Sequence, residues 1–260
     1  MIAPLEFYRN HLFHLAGYAK TGQSFREPDV CWRDNLDATR HLFDALARTD
    51  VRPRILFAST GLVYGDPDPG LEYTDERTTL KPASPYAASK AAADLLAYQV
   101  SRTAGLDVMR VRLFNQIGPR QSADYAVPNF ARQIAAIERG EQPPVLETGD
   151  LSAFRDLTDV RDMVRALVLV MQKGECGAVY NAGTGWVRQM GDVLRTMVGL
   201  ARVSVEVRSK SESVRAGDTT VSKADPRKLK MATGWEPRYD LTQTLADVLE
   251  SWRTRGERGA

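Results

Sequence analysis

Short apolar segments of strand length alternate with amphipathic segments of helix length along most of this chain. Strand patterns occupy residues 11–17, 54–59 and 107–114, and the first of them ends at a glycine. Helical patterns occupy 33–48 and about 86–102, between those strands. Strands separated by helices of about 10–15 residues are typical of βαβ units. The sequence therefore predicts an α/β fold built on a doubly wound parallel sheet.

The alternation continues into the second half of the chain and then gives way to smaller elements. The predicted elements there are a helix at about 127–139, a strand at 144–147, a helix at 159–173, a strand at 177–181, a helix near 188–200, a strand near 203–208 and a last helix near 241–254. We expect the tail beyond residue 186, together with parts of 119–160, to form a cap on the carboxyl edge of the sheet. Ligands bind at that edge in such folds.

The composition is that of an ordinary globular protein. The 260 residues are 43% hydrophobic and 26% charged, which suffices for a buried core and excludes a disordered chain, a coiled coil and a collagen-like fibre. A net charge of +2 gives no basis for binding nucleic acid or a membrane, and no apolar run approaches the roughly 20 residues of a membrane helix. The cysteines and histidines lack metal-site spacing, so we expect no metal. The N-terminus lacks a signal-peptide pattern, and the two cysteines, Cys31 and Cys176, form no Cys-x-x-Cys motif. Both observations favour a cytoplasmic protein.

A Tyr-x-x-x-Lys pair, Tyr86 and Lys90, stands at the start of a predicted helix. Residues four apart share a helix face, so the phenol and the ammonium are expected to point into one site. A free tyrosine titrates near about 10, and a neighbouring ammonium lowers the pKa of the phenol toward the range that acid–base catalysis needs. A surface helix that carries both residues by chance is the alternative.

Hydroxyl side chains follow the strand that precedes this helix. Ser59 and Thr60 stand at its carboxyl end, where a doubly wound sheet presents its ligand site. We expect the Thr60 hydroxyl to bond a substrate oxygen beside Tyr86. The alternative is a turn that merely favours small residues.

Eight segments occur in the order of one known superfamily: HLAG (14–17), DNLDATRHLFDAL with Asn35, STGLVYG (59–65), SPYAASKAAAD (84–94), RLFNQIGPRQ (112–121), FRDLTDVRDMVRA (154–166), YNAGTG (180–185) and ATGWEP (232–237). Together they resemble the extended short-chain dehydrogenase/reductases, in the NAD-dependent epimerase/dehydratase group that acts on nucleotide sugars. NQIGPRQ, FRDLTDVRD and residues 215–230 most resemble GDP-4-keto-6-deoxy-mannose reductases and GDP-mannose 4,6-dehydratases. The resemblance implies a Rossmann-like sheet with a smaller C-terminal cap.

The resemblance assigns four catalytic residues. It makes Tyr86 the acid/base and Lys90 its partner, which also holds the nicotinamide ribose. Thr60 orients the sugar, with Ser59 behind it, and Asn35 completes the Asn-Ser/Thr-Tyr-Lys tetrad.

The remaining site residues are likewise assigned by resemblance. The cofactor is NADP or NAD, and its site comprises Ala16, Ser59, Tyr86, Lys90 and Phe114. The substrate site comprises Thr60, Asn115, Arg120, Arg155, Arg215 and Asp218. Guanidinium groups suit the phosphate oxygens of a nucleotide, although each arginine read alone is a solvated surface charge. The loop at Arg215–Asp218 departs from the pattern of the family, which weakens its assignment.

The resemblance also implies a domain arrangement and a partner. Residues 1–118, joined by 156–182, correspond to a partial Rossmann-like NAD(P)-binding domain, and 119–155 with 183–260 correspond to the cap that binds the nucleotide sugar. A GDP-hexose is the expected substrate. Many members of the group are homodimers that pair through the Tyr-Lys helix and the helix before it, and we expect the same here.

The chemistry expected is reduction of the C4 ketone of a GDP-4-keto-6-deoxy-hexose, with Tyr86 as proton donor. Dehydratases of the family place an acidic residue just after the active-site threonine, whereas this chain has Gly61 and Leu62, which cannot transfer a proton. A nucleotide-sugar 4-epimerase, a 4,6-dehydratase or an inactive nucleotide-sugar-binding remnant are the alternatives.

No Gly-x-x-Gly-x-x-Gly precedes HLAG, although the family binds its cofactor pyrophosphate at such a loop. By resemblance the chain begins just before the fourth strand, which leaves out about 60 residues at about 30 for each βαβ unit. A gene that starts earlier, a separate chain that supplies the missing half, or a non-catalytic remnant are three explanations, and we favour the first. We expect strand 11–16 to be a sheet edge, and these residues alone to bind the cofactor poorly.

Overall fold

The computed structural model describes residues 10–68, 73–209 and 220–257. The first half of the chain contains β1 (His11–His14), α1 (Thr21–Ser24), α2 (Pro28–Trp32), a π-helical segment (Arg33–Asp37), α3 (Ala38–Ala47), β2 (Arg54–Thr60), a 3₁₀ turn (Gly61–Tyr64), α4 (Pro85–Thr103), β3 (Asp107–Leu113) and β4 (Asn115–Ile117). The second half contains α5 (Ala126–Glu138), β5 (Val145–Thr148), β6 (Phe154–Asp159), α6 (Val160–Lys173), β7 (Val179–Ala182), β8 (Val187–Gln189), α7 (Met190–Gly199), β9 (Glu206–Ser209), β10 (Val221–Ser222), α8 (Arg227–Thr233) and α9 (Leu241–Glu257).

The central sheet is parallel, in the order β1-β2-β3-β7. Alternate residues of β2 point to opposite faces, so Ile55 and Phe57 pack under α3 and α4 while Leu56 packs under α6. Both faces are covered, which explains why β2 is a continuous apolar run rather than an alternating one. This is the Rossmann-like α/β architecture that the sequence predicts.

The helix that carries Tyr86 and Lys90 has a well-defined start. Pro85 occupies its first turn, where the missing N–H costs nothing, and the Ser84 hydroxyl accepts a hydrogen bond from the Ala87 amide at 3.1 Å. The Ser84 N-cap fixes where the helix begins, so Tyr86 lies in its first turn, next to the carboxyl end of β2.

A second layer of short strands lies beyond the central sheet. Strand β6 pairs in parallel with β10 and β4, and in antiparallel register with β8. A separate core joins α5, α7 and α9 beside these strands, around Phe130, Ile134, Leu194 and Leu249. Because β3 ends at Leu113 and β4 begins at Asn115, the chain passes from one sheet to the other within a single residue.

The predicted elements correspond to observed ones, with informative differences. The helix predicted at 33–48 is preceded by α2 and contains the π-helical segment, in which one residue is inserted into the helical ladder. Strands β4, β6, β8 and β10 are absent from the sequence prediction, since two to six residues of mixed polarity carry little periodic signal. Within the described ranges, β1 pairs with β2 alone, and every helix is too short or too polar to span a bilayer.

Candidate active site

A cavity of about 540 Å³ opens where β2 and β3 end. Ser59 and Thr60 line it from the end of β2, Phe114 and Asn115 line it from the crossing between the two sheets, and Tyr86 lines it from the first turn of α4. The carboxyl edge of a parallel sheet is where such folds bind ligands. Residues from three separate stretches of sequence are therefore brought to one place.

The mouth of the cavity is bordered by two contacts between the loop after β1 and the residues before α5. The Tyr125 hydroxyl donates to the Ala19 carbonyl at 3.1 Å, and Lys20 forms an ion pair with Asp124 at 3.0 Å. Ala19 and Tyr125 both line the cavity. These contacts join the loop after β1 to the residues before α5 on one side of the opening.

The Tyr86 phenol and the Thr60 hydroxyl form a pair within the cavity. Burial raises the pKa of Tyr86 to about 12, and a side-chain hydrogen bond with Thr60 opposes that rise. Thr60 also caps the 3₁₀ turn, where its Oγ1 accepts from the Leu62 amide at 3.2 Å. The sequence argument predicted that Lys90 lowers the pKa of this phenol. That prediction is wrong, because burial raises the pKa and Lys90 is not among the groups that act on the phenol. Tyr86 is consequently a protonated phenol at neutral pH.

Lys90 lies one helical turn beyond Tyr86 and is buried. Its ammonium donates to the Ala58 carbonyl of β2 and lies 4.5 Å from the centre of the Phe57 ring. Burial lowers the pKa of Lys90 to about 8, although the Asp94 carboxylate opposes that shift. Because an ammonium has three donors, the bond to Ala58 leaves others for a ligand.

Asn35 reaches the same region through the π-helical segment. Its Nδ2 donates to the Ser89 hydroxyl at 3.0 Å and to the Cys31 sulfur at 3.6 Å, so it contacts the helix that carries Tyr86 and Lys90. Its Oδ1 is buried without a hydrogen-bond partner among the described residues and faces the backbone at Gly17. The structure thus places Asn35 beside the Tyr-Lys helix, with its Oδ1 lacking a hydrogen-bond donor among the described residues.

A buried ion network behind the cavity is absent from the sequence prediction. Asp94 accepts from Arg110 Nη1 at 2.8 Å and from Arg112 Nε and Nη2 at 3.1 and 3.0 Å. Arg112 Nη1 donates to the Tyr64 hydroxyl at 2.8 Å, and the Tyr64 ring stacks on Phe114 with centroids 6.4 Å apart. The only sequence signal is charged residues in otherwise apolar elements. The network links the Tyr-Lys helix to a residue of the cavity wall.

The residues assigned to the substrate are distributed unevenly. Asn115 and Arg120 line the cavity, and Arg120 is the only non-glycine residue with positive φ (73°) in the described part of the chain. Arg155 lies on β6 next to Ser222, which lines the cavity. Ala16 is exposed in the loop after β1 and is not among the cavity residues. Arg215 and Asp218 lie outside the described residues.

The site fits the nicotinamide half of a dinucleotide. The cavity offers open space beside Ser59, Tyr86 and Phe114, and a Cβ at Gly61 would approach the Phe114 ring to 3.0 Å, so the glycine keeps that wall clear. The orphaned Oδ1 of Asn35 and the buried ammonium of Lys90 are an acceptor and a donor of the kind that a ribose hydroxyl bonds, but neither residue is among those that line the cavity. The described residues contain no cluster of His, Cys, Asp and Glu that could hold a metal ion.

Comparison with known proteins gives one consistent result. A family model described as GDP-mannose 4,6 dehydratase matches residues 6–248. The GDP-6-deoxy-D-mannose reductase of Pseudomonas aeruginosa is 32% identical over 244 residues, which are 94% of this chain and 80% of the relative. A solved structure of RMD from Pseudomonas aeruginosa complexed with NADPH has a TM-score of 0.89 and 32% identity, over 95% of this chain and 82% of that one. MoeE5 in complex with UDP-glucose and NAD has a TM-score of 0.82 and 32% identity, over 95% and 80%.

Proposed function

This chain belongs to the GDP-mannose 4,6-dehydratase family, and from that premise we propose that it reduces the C4 ketone of a nucleotide-linked 4-keto-6-deoxy-hexose with NADPH or NADH. A GDP-sugar is the proposed substrate, because the reductase of Pseudomonas aeruginosa is named for one. Solved relatives in complex with NADPH and with NAD support the cofactor class.

The observation that carries the proposal is the Tyr86–Thr60 pair in the cavity. When bound, NADPH or NADH would supply the hydride that adds to C4 of the ketone. Tyr86 donates its proton to the oxygen as negative charge develops there, and Thr60 hydrogen-bonds the same oxygen. The phenol is protonated at neutral pH, as a proton donor must be, and it can transfer that proton once hydride addition makes the ketone oxygen basic. Lys90 is proposed to hold the nicotinamide ribose, because its ammonium has donors beyond the one bonded to Ala58.

Reduction is favoured over dehydration by the side chains around the cavity. Elimination of water across C5 and C6 needs an acid and a base beyond the tyrosine. Gly61 and Leu62 occupy the positions after Thr60, and no carboxylate lies among the described residues that line the cavity. We therefore propose a single hydride transfer with one proton donor.

Tyr86→Phe tests the proposal. We expect it to reduce turnover of a GDP-4-keto-6-deoxy-hexose by about 10²–10⁴-fold, measured as oxidation of NADPH, while the affinity for GDP is retained. Tyr239→Phe is the matched control, since Tyr239 is exposed, lies outside the cavity lining and should keep full activity. Retention of activity by Tyr86→Phe would falsify the role of the phenol. Turnover of GDP-mannose to the keto sugar by the unaltered protein would instead identify a dehydratase.

The two-part arrangement and the homodimer are further parts of the proposal. We propose that the residues around the central sheet hold the cofactor, and that those around α5, α7 and α9 hold the nucleotide. Exposed Leu95 and Tyr98 on α4 support pairing through that helix, whereas Ala87 and Ala91 of the same helix are buried within the chain.

A further inference from the structure

Tyr86 stands on the least supported part of its helix. The first amides of an α-helix have no carbonyl of their own helix to bond, and helix ends fray for that reason. Tyr86 follows Pro85 in the first turn of α4, so its amide is one of these unsupported donors. A contact from outside the helix is therefore needed if the phenol is to keep one position.

The Tyr86 amide has its acceptor on α1. Its N–H donates to the Ser24 hydroxyl at 3.3 Å, across 62 residues of sequence. The same hydroxyl donates to the Thr21 carbonyl at 2.6 Å, so its one hydrogen is used and its lone pairs can accept. Ser24 is fully buried, which keeps water from competing for this hydroxyl.

The other donors at the start of α4 are bonded by Ser84. Pro85 has no N–H, and the Ser84 hydroxyl accepts from the Ala87 amide at 3.1 Å. The Ala88 amide donates to the Ser84 carbonyl at 2.9 Å. The Tyr86 amide is the donor of this turn that Ser84 does not bond, and Ser24 supplies the acceptor that it needs.

The carbonyl of Tyr86 is also bonded by a serine. The Ser89 hydroxyl donates to it at 2.9 Å, and Asn35 Nδ2 donates to the Ser89 hydroxyl at 3.0 Å. Ser89, like Ser24, is fully buried. The phenol is thus carried by a backbone that is held at both its amide and its carbonyl.

Ser24 connects Tyr86 to the wall of the cavity. Thr21, whose carbonyl accepts from Ser24, lines the cavity together with Ala19. The loop after β1 and the helix of Tyr86 therefore meet at the Ser24 hydroxyl. Proton transfer needs the donor within hydrogen-bond reach of the acceptor, and a displacement of about 1 Å can cost about 10²-fold in rate.

We propose that Ser24 is a positioning residue, which holds the Tyr86 backbone so that the phenol faces the substrate oxygen. The inference rests on the proposed function, because it takes Tyr86 as the proton donor. Ser24 is not among the residues that line the cavity, so it acts through Tyr86 rather than on the substrate. The sequence motifs did not indicate it, because the contact joins two segments that are distant in the chain.

The test compares Ser24→Ala with Thr233→Val. Thr233 is a matched control, because its buried hydroxyl donates to the Leu229 carbonyl at 2.7 Å and accepts from the Trp235 amide at 3.1 Å, outside the cavity lining. Each substitution deletes one donated and one accepted hydrogen bond. We expect both variants to unfold at lower urea concentration than the unaltered protein.

The kinetic constants separate a positioning role from a loss of stability. Turnover of a GDP-4-keto-6-deoxy-hexose is measured as oxidation of NADPH, under conditions where both variants are fully folded. We expect Ser24→Ala to lower kcat by about 10–100-fold and to change KM by less than about threefold, because the phenol is displaced while the substrate contacts remain. Thr233→Val should change kcat by less than about twofold.

Hydrogen exchange of the Tyr86 amide is a second readout, which needs no turnover. It is followed by NMR in protein that carries isotope-labelled tyrosine. We expect this amide to exchange slowly in the unaltered protein, to lose its protection in Ser24→Ala, and to keep it in Thr233→Val.

The outcomes for Ser24 and for the proposed reaction are distinguishable. An unprotected Tyr86 amide in the unaltered protein, or a kcat that falls equally in Ser24→Ala and Thr233→Val, overturns the positioning role. A higher KM with an unchanged kcat in Ser24→Ala also overturns it, because that result would place Ser24 in substrate binding. Ser24-dependent protection of the amide in a protein that oxidises no NADPH with the keto sugar supports the contact and overturns the reductase.

Discussion

Replacement of Asp94 by asparagine should remove the central anion of the buried network behind the active site. The Asp94 carboxylate is fully buried and accepts three hydrogen bonds from Arg110 and Arg112, whose side chains are 8% and 5% exposed. Asparagine has nearly the same shape, so the packing is preserved and the charge alone is lost. Its amide N–H₂ would also face a guanidinium donor. Two buried guanidinium groups would be left without a counter-ion.

Breaking a buried ion pair from one side costs about 3–5 kcal/mol, because the remaining charge has lost its partner but not its burial. We therefore expect Asp94→Asn to lower the free energy of unfolding by about 3–5 kcal/mol. That is a large share of the about 5–15 kcal/mol that stabilises a typical domain. With a urea m-value of about 3 kcal/mol per molar, the unfolding midpoint should fall by about 1–1.7 M.

Asp68→Asn is the control for this experiment. Asp68 pairs with Lys81 at 2.5 Å, but both side chains are at least half exposed, so its loss should cost less than about 1 kcal/mol. Urea unfolding followed by circular dichroism compares the two variants with the unaltered protein. Equal, small effects of the two substitutions would refute the argument that burial gives the Asp94 network its importance.

The pH dependence of this difference has a definite sign. Burial acts to raise the pKa of Asp94, but the hydrogen bonds and charges of Arg112 and Arg110 hold it below its ordinary value of 3.8. The carboxylate therefore contributes stability that is complete above that ordinary value and is lost as the pH falls through the lower, folded-state pKa. The difference in the free energy of unfolding between the unaltered protein and Asp94→Asn should be largest at neutral pH and should decrease only in strong acid.

Two further predictions concern Lys90 and Gly65. Lys90→Met should abolish turnover. It should change the free energy of unfolding at pH 7 by less than about 1 kcal/mol, because removing a buried ammonium also removes the cost of burying its charge. Burial lowers the pKa of Lys90 from 10.5 to about 8, so between these values the unfolded chain holds a proton that the folded chain has released. The unaltered protein should thus gain stability relative to Lys90→Met as the pH rises from 8, and urea unfolding at pH 7 and about 9.5 checks this; a pH-independent difference would contradict it. Gly65→Ala should lose at least about twice as much stability as Gly140→Ala in thermal melts. Both residues have positive φ, but only at Gly65 would a Cβ overlap a carbonyl oxygen, that of Lys81, whereas the space at Gly140 is open. Equal losses would show that the loop at Gly65 relaxes.

Local sequence patterns predicted most elements of the fold. The apolar run of β2, the helix that begins at Pro85 and the strand at 107–113 were predicted within one or two residues, because their period and their end signals are contained in the segments themselves. The same locality explains why the Tyr-x-x-x-Lys spacing identified a common helix face. The motifs that follow one another along the chain also indicated the family, which the comparisons confirm.

What the sequence by itself determined is therefore the parallel α/β sheet, the helix that carries Tyr86 and Lys90, and the class of chemistry that these residues suggest. Only the tertiary structure decided that burial raises the pKa of Tyr86 rather than lowering it. It alone also decided that Asp94 accepts hydrogen bonds from two arginines, and that Arg188 pairs with Arg155 across two strands. The physical reason is that periodicity and capping act over a few neighbouring residues. Desolvation, charge pairing and strand register instead depend on which distant segments the fold packs together.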